Sequence, residues 1–241
     1  MGLFERIQQA GDIPFKNESI LDCGDLQQSP FVIETRFATI SSVPVSKIIG
    51  SCHPSYCGMT WGDFMTKGER IERRLQQVDE APDYYYASDK KEHIGFIKFP
   101  NGYFIEAGNH RSAIAKFLFF LDEKYNQYLH GVCVTEYIFD NDGERLVDEL
   151  SIIIDACGYK EIISVTAKRM PGKQGVSGQL SNSFFYTELT VSNSKTNKTI
   201  IITNLQKNKN RKRVRKLIAA IDQRTWWTRW FSKNEFAKFV G

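Results

Sequence analysis

The 241-residue sequence has no long hydrophobic run: none exceeds five residues, as in Phe117-Leu118-Phe119-Phe120-Leu121. A membrane-spanning helix needs about 20 apolar residues, so no such helix is expected. The N-terminus, Met1-Gly2-Leu3-Phe4-Glu5-Arg6-Ile7, lacks the apolar core of a secretory signal, and Arg6 stands where a myristoylation signal wants Ser or Thr. Cysteine is sparse. There are five, irregularly spaced (Cys23, Cys52, Cys57, Cys133 and Cys157), and the odd number without an export signal suggests reduced thiols in a cytoplasm. Cys52, His53 and Cys57 have no fourth zinc ligand nearby in sequence.

Charge is present but uneven. The net charge is +4, yet from Leu205 onward eleven Lys and Arg face only Asp222 and Glu235, a net +9. The first 204 residues carry −5. Such asymmetry points to an acidic partner for the C-terminus, most simply nucleic acid, with an anionic membrane surface or a plain solvated helix face as alternatives. The cationic candidates are Arg211, Lys212, Arg213, Arg215 and Lys216. Trp226, Trp227 and Trp230 follow, suited to base stacking, to a membrane interface or to packing.

Periodicity predicts an α+β chain. Residues 3–10 suit a short helix, and the polar stretch after them suits loops. Phe31 to Ile40 has strand character, and Val43 to Ser51 begins extended. Cys52 to Thr66, with Pro and Gly breaks, reads as a loop, and Glu69 to Val78 as a helix with Ile71, Leu75 and Val78 on one face. Two strands around Pro100-Asn101-Gly102 give a hairpin signal. From Arg111 the period changes from two to 3.6, with Ile114, Phe117, Leu118 and Leu121 as a stripe. A strand over 131–138 completes this unit. Beyond it come a helix over 143–157, strands over 161–169, 184–192 and 199–203, and a basic helix over 209–223. Pro171 to Asn182, rich in Gly, Ser and Gln, reads as a mobile loop. The expected layout is an N-terminal extension over 1–30, a domain over 31–140, and a basic α+β segment over 141–241.

The sharpest local feature is Tyr103-Phe104-Ile105-Glu106-Ala107-Gly108-Asn109-His110-Arg111-Ser112-Ala113-Ile114-Ala115. A strand runs into Gly108, the chain turns, and a helix starts. The first amides of a helix have no internal partner, so they can hold an oxyanion. Arg111 offers a planar fork of donors for phosphate oxygens. A cation in the first turn is disfavoured by the helix dipole by about 0.3–1 kcal/mol, and a bound anion would remove that cost.

The segment Ala107-Gly108-Asn109-His110-Arg111, with Ala115 four residues on, resembles the Ala-Gly-x-x-Arg box of ParB-type partition proteins. It is also similar to the Gly-x-His-Arg turn of sulfiredoxin and of related free-serine kinases. Val43-Pro44-Val45-Ser46-Lys47-Ile48-Ile49-Gly50-Ser51 resembles the first conserved strand and loop of the same superfamily, so the resemblance spans about residues 40–138. It implies a ParB/sulfiredoxin-like domain that binds ATP or CTP, with Mg2+, through Gly108, Asn109, His110 and Arg111. Ser51 and His53 would complete the pocket. Glu106 would act as a base or metal ligand and His110 as an acid–base group. The sulfiredoxin cysteine is absent from this turn, and no helix-turn-helix follows, so neither sulfinic acid reduction nor classical centromere binding is implied. The charge layout is similar to that of plasmid fertility-inhibition proteins, some of which combine this fold with ATPase and nuclease activity. A non-catalytic regulator that binds DNA or a protein partner is the alternative expectation.

Overall fold

A computed structural model describes residues 1–67, 71–177, 180–222 and 239. The chain is α+β and separates into two compact units. Unit 1 holds residues 1–27, 35–137 and 175–182, and unit 2 holds residues 28–34, 138–174 and 183–241.

In chain order the elements of the first half are α1 (Leu3–Gln9), β1 (Leu21–Asp22), β2 (Val32–Pro44), β3 (Ile48–Ser51), α2 (Trp61–Lys67), α3 (Ile71–Glu80) and α4 (Asp83–Tyr86). Then come β4 (Gly95–Phe99), β5 (Gly102–Ala107), α5 (Asn109–Leu121) and β6 (Tyr128–Phe139). The mixed sheet of unit 1 runs β1-β3-β5-β4-β6-β2. β4 and β5 form the antiparallel hairpin expected from Asn101-Gly102, while β3 runs parallel to β5 and β1 parallel to β3. That parallel register matters, because it sets Ser51 opposite Ile105 and so brings the end of β3 to the end of β5.

α5 is buried nearly all round: Ala113, Ile114, Ala115, Phe117, Leu118 and Phe119 are all core residues. A helix apolar on every side belongs inside a domain, not on its surface. Its one buried cation, Lys116, donates to Ile48 O and to the Tyr125 hydroxyl, each at 2.8 Å. The rings of Phe15 and Trp61 lie 4.5 and 5.1 Å from its ammonium. A charge can stay buried only when hydrogen-bonded in this way.

Three expectations need correction. The stretch read as an N-terminal extension does not stand outside: Leu3, Ile7, Ile13, Phe15 and Ile20 are buried in the unit 1 core, and residues 1–27 fold with it. The loop expected over Cys52 to Thr66 contains the start of α2. Thr60 caps that helix by accepting from Asp63 N at 3.0 Å, and Trp61, Phe64 and Met65 are buried on one face. The mobile loop expected over 171–182 is instead strand on both described sides.

The later elements are α6 (Asn141–Ala156), β7 (Ile163–Ser177), β8 (Leu180–Asn193), β9 (Lys198–Ile202) and α7 (Asn208–Asp222), and unit 2 takes these apart from residues 175–182, together with the start of β2 and the end of β6. β8 and β9 form an antiparallel pair, Leu189 opposite Ile202. Asp140 starts α6 by accepting from Gly143 N at 3.0 Å. The apolar faces of α6 (Leu146, Val147, Leu150, Ile154) and α7 (Val214, Leu217, Ile218, Ile221) join one core with Leu189, Val191 and Ile202. No described helix is long and apolar enough to cross a membrane.

Candidate functional site

The turn after β5 is built as its residues demand. Gly108 is left-handed, with φ 78° and ψ 36°, and a Cβ there would lie 2.5 Å from His93 O. Only glycine fits, on both conformation and space. Ser112 N donates to Gly108 O at 2.9 Å, closing the first helical turn. As the N-cap, Gly108 brings no side-chain acceptor to the first-turn amides, and no acidic residue lies in that turn. Asn109, His110 and Arg111 are the first-turn residues.

The structure gathers four of the expected site residues. Ser51, 1% exposed, donates its hydroxyl to Asn109 Oδ1 at 2.7 Å and accepts from His53 N at 3.0 Å. The His53 ring lies 4.7 Å from that of Tyr56. The His110 ring packs at 5.3 Å from Phe64 and 5.8 Å from Tyr56. Ser51, His53, Asn109 and His110 thus form one cluster around Tyr56, tied by the parallel β3–β5 register.

Arg111 has other neighbours. Its guanidinium donates to His93 O at 3.1 Å and to the Tyr84 hydroxyl at 3.3 Å. It lines a pocket of about 240 Å³ with Arg74, Gln77, Val78, Ala81, Tyr84 and Tyr85. From the sequence Arg74, with Arg70 and Arg73, reads as a solvated helix face or a nucleic-acid contact; its place beside Arg111, and Tyr84 altogether, escape sequence reasoning, since α3 and α4 lie 25 or more residues upstream and carry no motif. Burial pushes the Tyr85 phenol up, and the nearby Arg111 and Arg74 charges pull it partly back.

Glu106 is exposed on β5, next to the buried Ile105. Among the described residues, no group of three or more His, Cys, Asp or Glu side chains lies together as a metal site. A metal held by Glu106 would therefore take its other ligands from a bound phosphate and water, the ordinary habit of Mg2+.

The reduced-thiol expectation fails for one pair. Cys23 and Cys52 are disulfide-bonded, with Cα atoms 5.0 Å apart. The cause is the β1–β3 register, Asp22 opposite Ser51, which sets the next residue of each strand side by side. Cys52 is thereby spent, which also disposes of a zinc site with His53 and Cys57. Cys57 donates to Ser51 O at 3.4 Å, and burial together with Asp22 pushes its thiol up.

In unit 2 the expected nucleic-acid residues divide. Arg211 pairs with Asp140 and lies 3.7 Å from Asp142, with its side chain 19% exposed. Arg211 is thus an ion-pair partner within unit 2, where the sequence suggests a nucleic-acid contact. Lys212, Arg215 and Lys216 are exposed, and Arg213 is half-buried. At 100° per residue Lys212, Arg215 and Lys216 share the side opposite Leu217 and Ile221. Trp226, Trp227 and Trp230 lie outside the described residues.

No protein-family model matches the chain. No curated protein matches it at a significant level. No solved structure does either.

Proposed function

We propose that the chain is a nucleotide-binding protein of ParB/sulfiredoxin type that works on or with DNA. In this reading unit 1 holds ATP or CTP with Mg2+, and the outward face of α7 meets nucleic acid. The observation that carries it is the Gly108 turn: a left-handed glycine with no room for a side chain opens an uncapped helix whose first turn holds Arg111. Backbone amides and a guanidinium at one helix start are what a phosphate group needs. Arg111 uses two donors on protein oxygens, out of the five that a guanidinium carries.

The test is calorimetric titration of the full chain with ATP and CTP, with and without Mg2+, beside Arg111→Ala. Binding by the wild type that drops about tenfold or more in the variant supports the reading. No binding of either nucleotide by the wild type defeats it.

Hydrolysis is assigned to Glu106 as the base. Glu106→Gln should then abolish turnover of nucleotide or DNA and leave nucleotide affinity intact. One observation favours the non-catalytic regulator as the second reading. The His110 ring is packed on Phe64 and Tyr56, so it serves the turn as a packing group more readily than as a proton carrier. A binding-competent protein with no turnover in wild type or variant would select the regulator.

A further inference from the structure

We infer that Arg74 and Arg111 form a two-guanidinium clamp for the terminal phosphate of a nucleoside polyphosphate, seated in the pocket between α3, α4 and the start of α5. The inference rests on the nucleotide reading and says which side of the turn the phosphate chain takes and which further residue binds it.

The geometry of α3 places Arg74. Ile71, Leu75 and Val78 are the buried face of that helix, and Arg74 sits beside it, half-buried where Arg73 is exposed. Arg74 and Arg111 then line the same pocket. Their hydrogen-bond partners are neutral. Arg74 donates to Gln77 Oε1 at 2.7 Å, and Arg111 to Tyr84 and His93 O. None of the described residues lining the pocket is acidic. Two like charges facing one cavity repel, and the described lining offers no carboxylate to offset that repulsion. An anion entering the pocket would supply the missing charge.

Size selects the kind of anion. A pocket of about 240 Å³ is below the 300–1,000 Å³ usual for whole drug-sized ligands, so it takes one end of a longer molecule. Val78 and Ala81 line it on one side, and Tyr84 brings a hydroxyl already engaged with Arg111. Because Arg111 belongs both to the first turn of α5 and to this pocket, a phosphate chain that starts on the turn amides ends between the two guanidiniums. A monophosphate would occupy the turn and leave Arg74 unused.

Titrations of ATP, ADP, AMP and pyrophosphate into the wild type, Arg74→Ala, Arg74→Lys and Arg111→Ala test this. The wild type should bind ATP more tightly than AMP. Arg74→Ala should lose about tenfold or more for ATP with AMP unchanged, and Arg74→Lys should recover part of the loss. An unchanged thermal midpoint in Arg74→Ala separates lost binding from lost folding, as expected for a side chain outside the buried face. If Arg111→Ala weakens ATP but Arg74→Ala does not, the clamp is overturned and the nucleotide reading stands. If no nucleotide binds but pyrophosphate binds the wild type and not Arg74→Ala, the paired guanidiniums stand as an anion site and the nucleotide reading falls. If nothing binds, both fall.

Discussion

The Ser51 hydroxyl donates to Asn109 Oδ1 across 2.7 Å, and this bond joins the end of β3 to the first residue of α5. The Ser51 hydroxyl oxygen also accepts a hydrogen bond from His53 N, so one buried hydroxyl serves both the loop and the helix start. Ser51→Ala should cost about 1–3 kcal/mol, since it leaves a part-buried acceptor and a backbone amide without their partner. Urea unfolding checks it. A midpoint equal to the wild type would mean that the turn is held by β5 and Gly108 without this bond.

How much of the fold is legible in the sequence follows from the range of each signal. The β4–β5 hairpin and α5 are encoded locally, by Asn101-Gly102 and by the period change from Arg111 just after the glycine turn, and both appear within two residues of their expected bounds. α2 is hidden because a seven-residue helix broken by Gly62 shows barely two turns of period; only its burial of Trp61, Phe64 and Met65 makes it stable. Ile13 and Phe15 flank Pro14 between polar residues, and Ile20 is joined only by the exposed Leu21, so no periodicity marks them as core. β7 and the start of β8 lack apolar alternation across Pro171–Asn182, so they carry no local strand signal, although the two strands are neighbours in the sheet as well as in sequence. For the same reason the glycine turn is readable while the neighbours of Arg111 and the pairing of Cys23 with Cys52 are not. Those depend on which elements the sheet and helices set side by side.

The Cys23–Cys52 link should be measurable directly. Alkylation of the denatured, unreduced protein should label three cysteines, Cys57, Cys133 and Cys157, and reduction should raise that to five. The cross-link closes a sequence separation of 29, so loop-closure entropy puts its contribution near 3–4 kcal/mol. Reduction, or Cys23→Ser, should lower the unfolding midpoint accordingly. Five labels without reductant would overturn the pairing. The expectation of reduced thiols, drawn from the odd cysteine count, the irregular spacing and the lack of an export signal, does not hold for this pair.

Lys116 gives stability an unusual dependence on alkaline pH. Burial pushes its ammonium down to about 8, against a smaller upward pull from Glu18. The unfolded chain keeps the ordinary lysine value of about 10.4. Below pH 8 both states are charged, and the cost of burying the charge is fully felt. Between pH 8 and 10 the native state loses its proton first, the unfolded state binds more protons, and stability rises with pH, by at most ~1.4 kcal/mol per pH unit. Above pH 10 the Tyr125 phenol, raised to about 12 mainly by burial, works the other way, because the unfolded tyrosine ionises first. Lys116→Met should remove the rise between pH 8 and 10. Urea unfolding of both proteins at pH 7.5, 8.5 and 9.5 reads it, and parallel curves would show that Lys116 stays charged throughout.

The basic helix allows stability and nucleic-acid binding to be separated by position. Arg211 pairs with the buried Asp140, which also caps α6, so Arg211→Ala should destabilise the protein by about 3–5 kcal/mol by leaving that carboxylate uncompensated. Lys212, Arg215 and Lys216 are exposed, and replacing the three with Ala should move the unfolding midpoint little. Their effect should appear in DNA affinity. Each phosphate neutralised by a cation adds about 0.9 to the log–log salt slope of duplex binding, so a triple variant in which three phosphates go without their cations should flatten that slope by about 2.7. A fluorescence titration of a short duplex from 50 to 200 mM salt reads it. If the triple variant binds with the wild-type slope, the outward face of α7 is merely a solvated surface; if Arg211→Ala lowers the slope without lowering stability, Arg211 is a binding cation and its pairing with Asp140 contributes nothing to the fold.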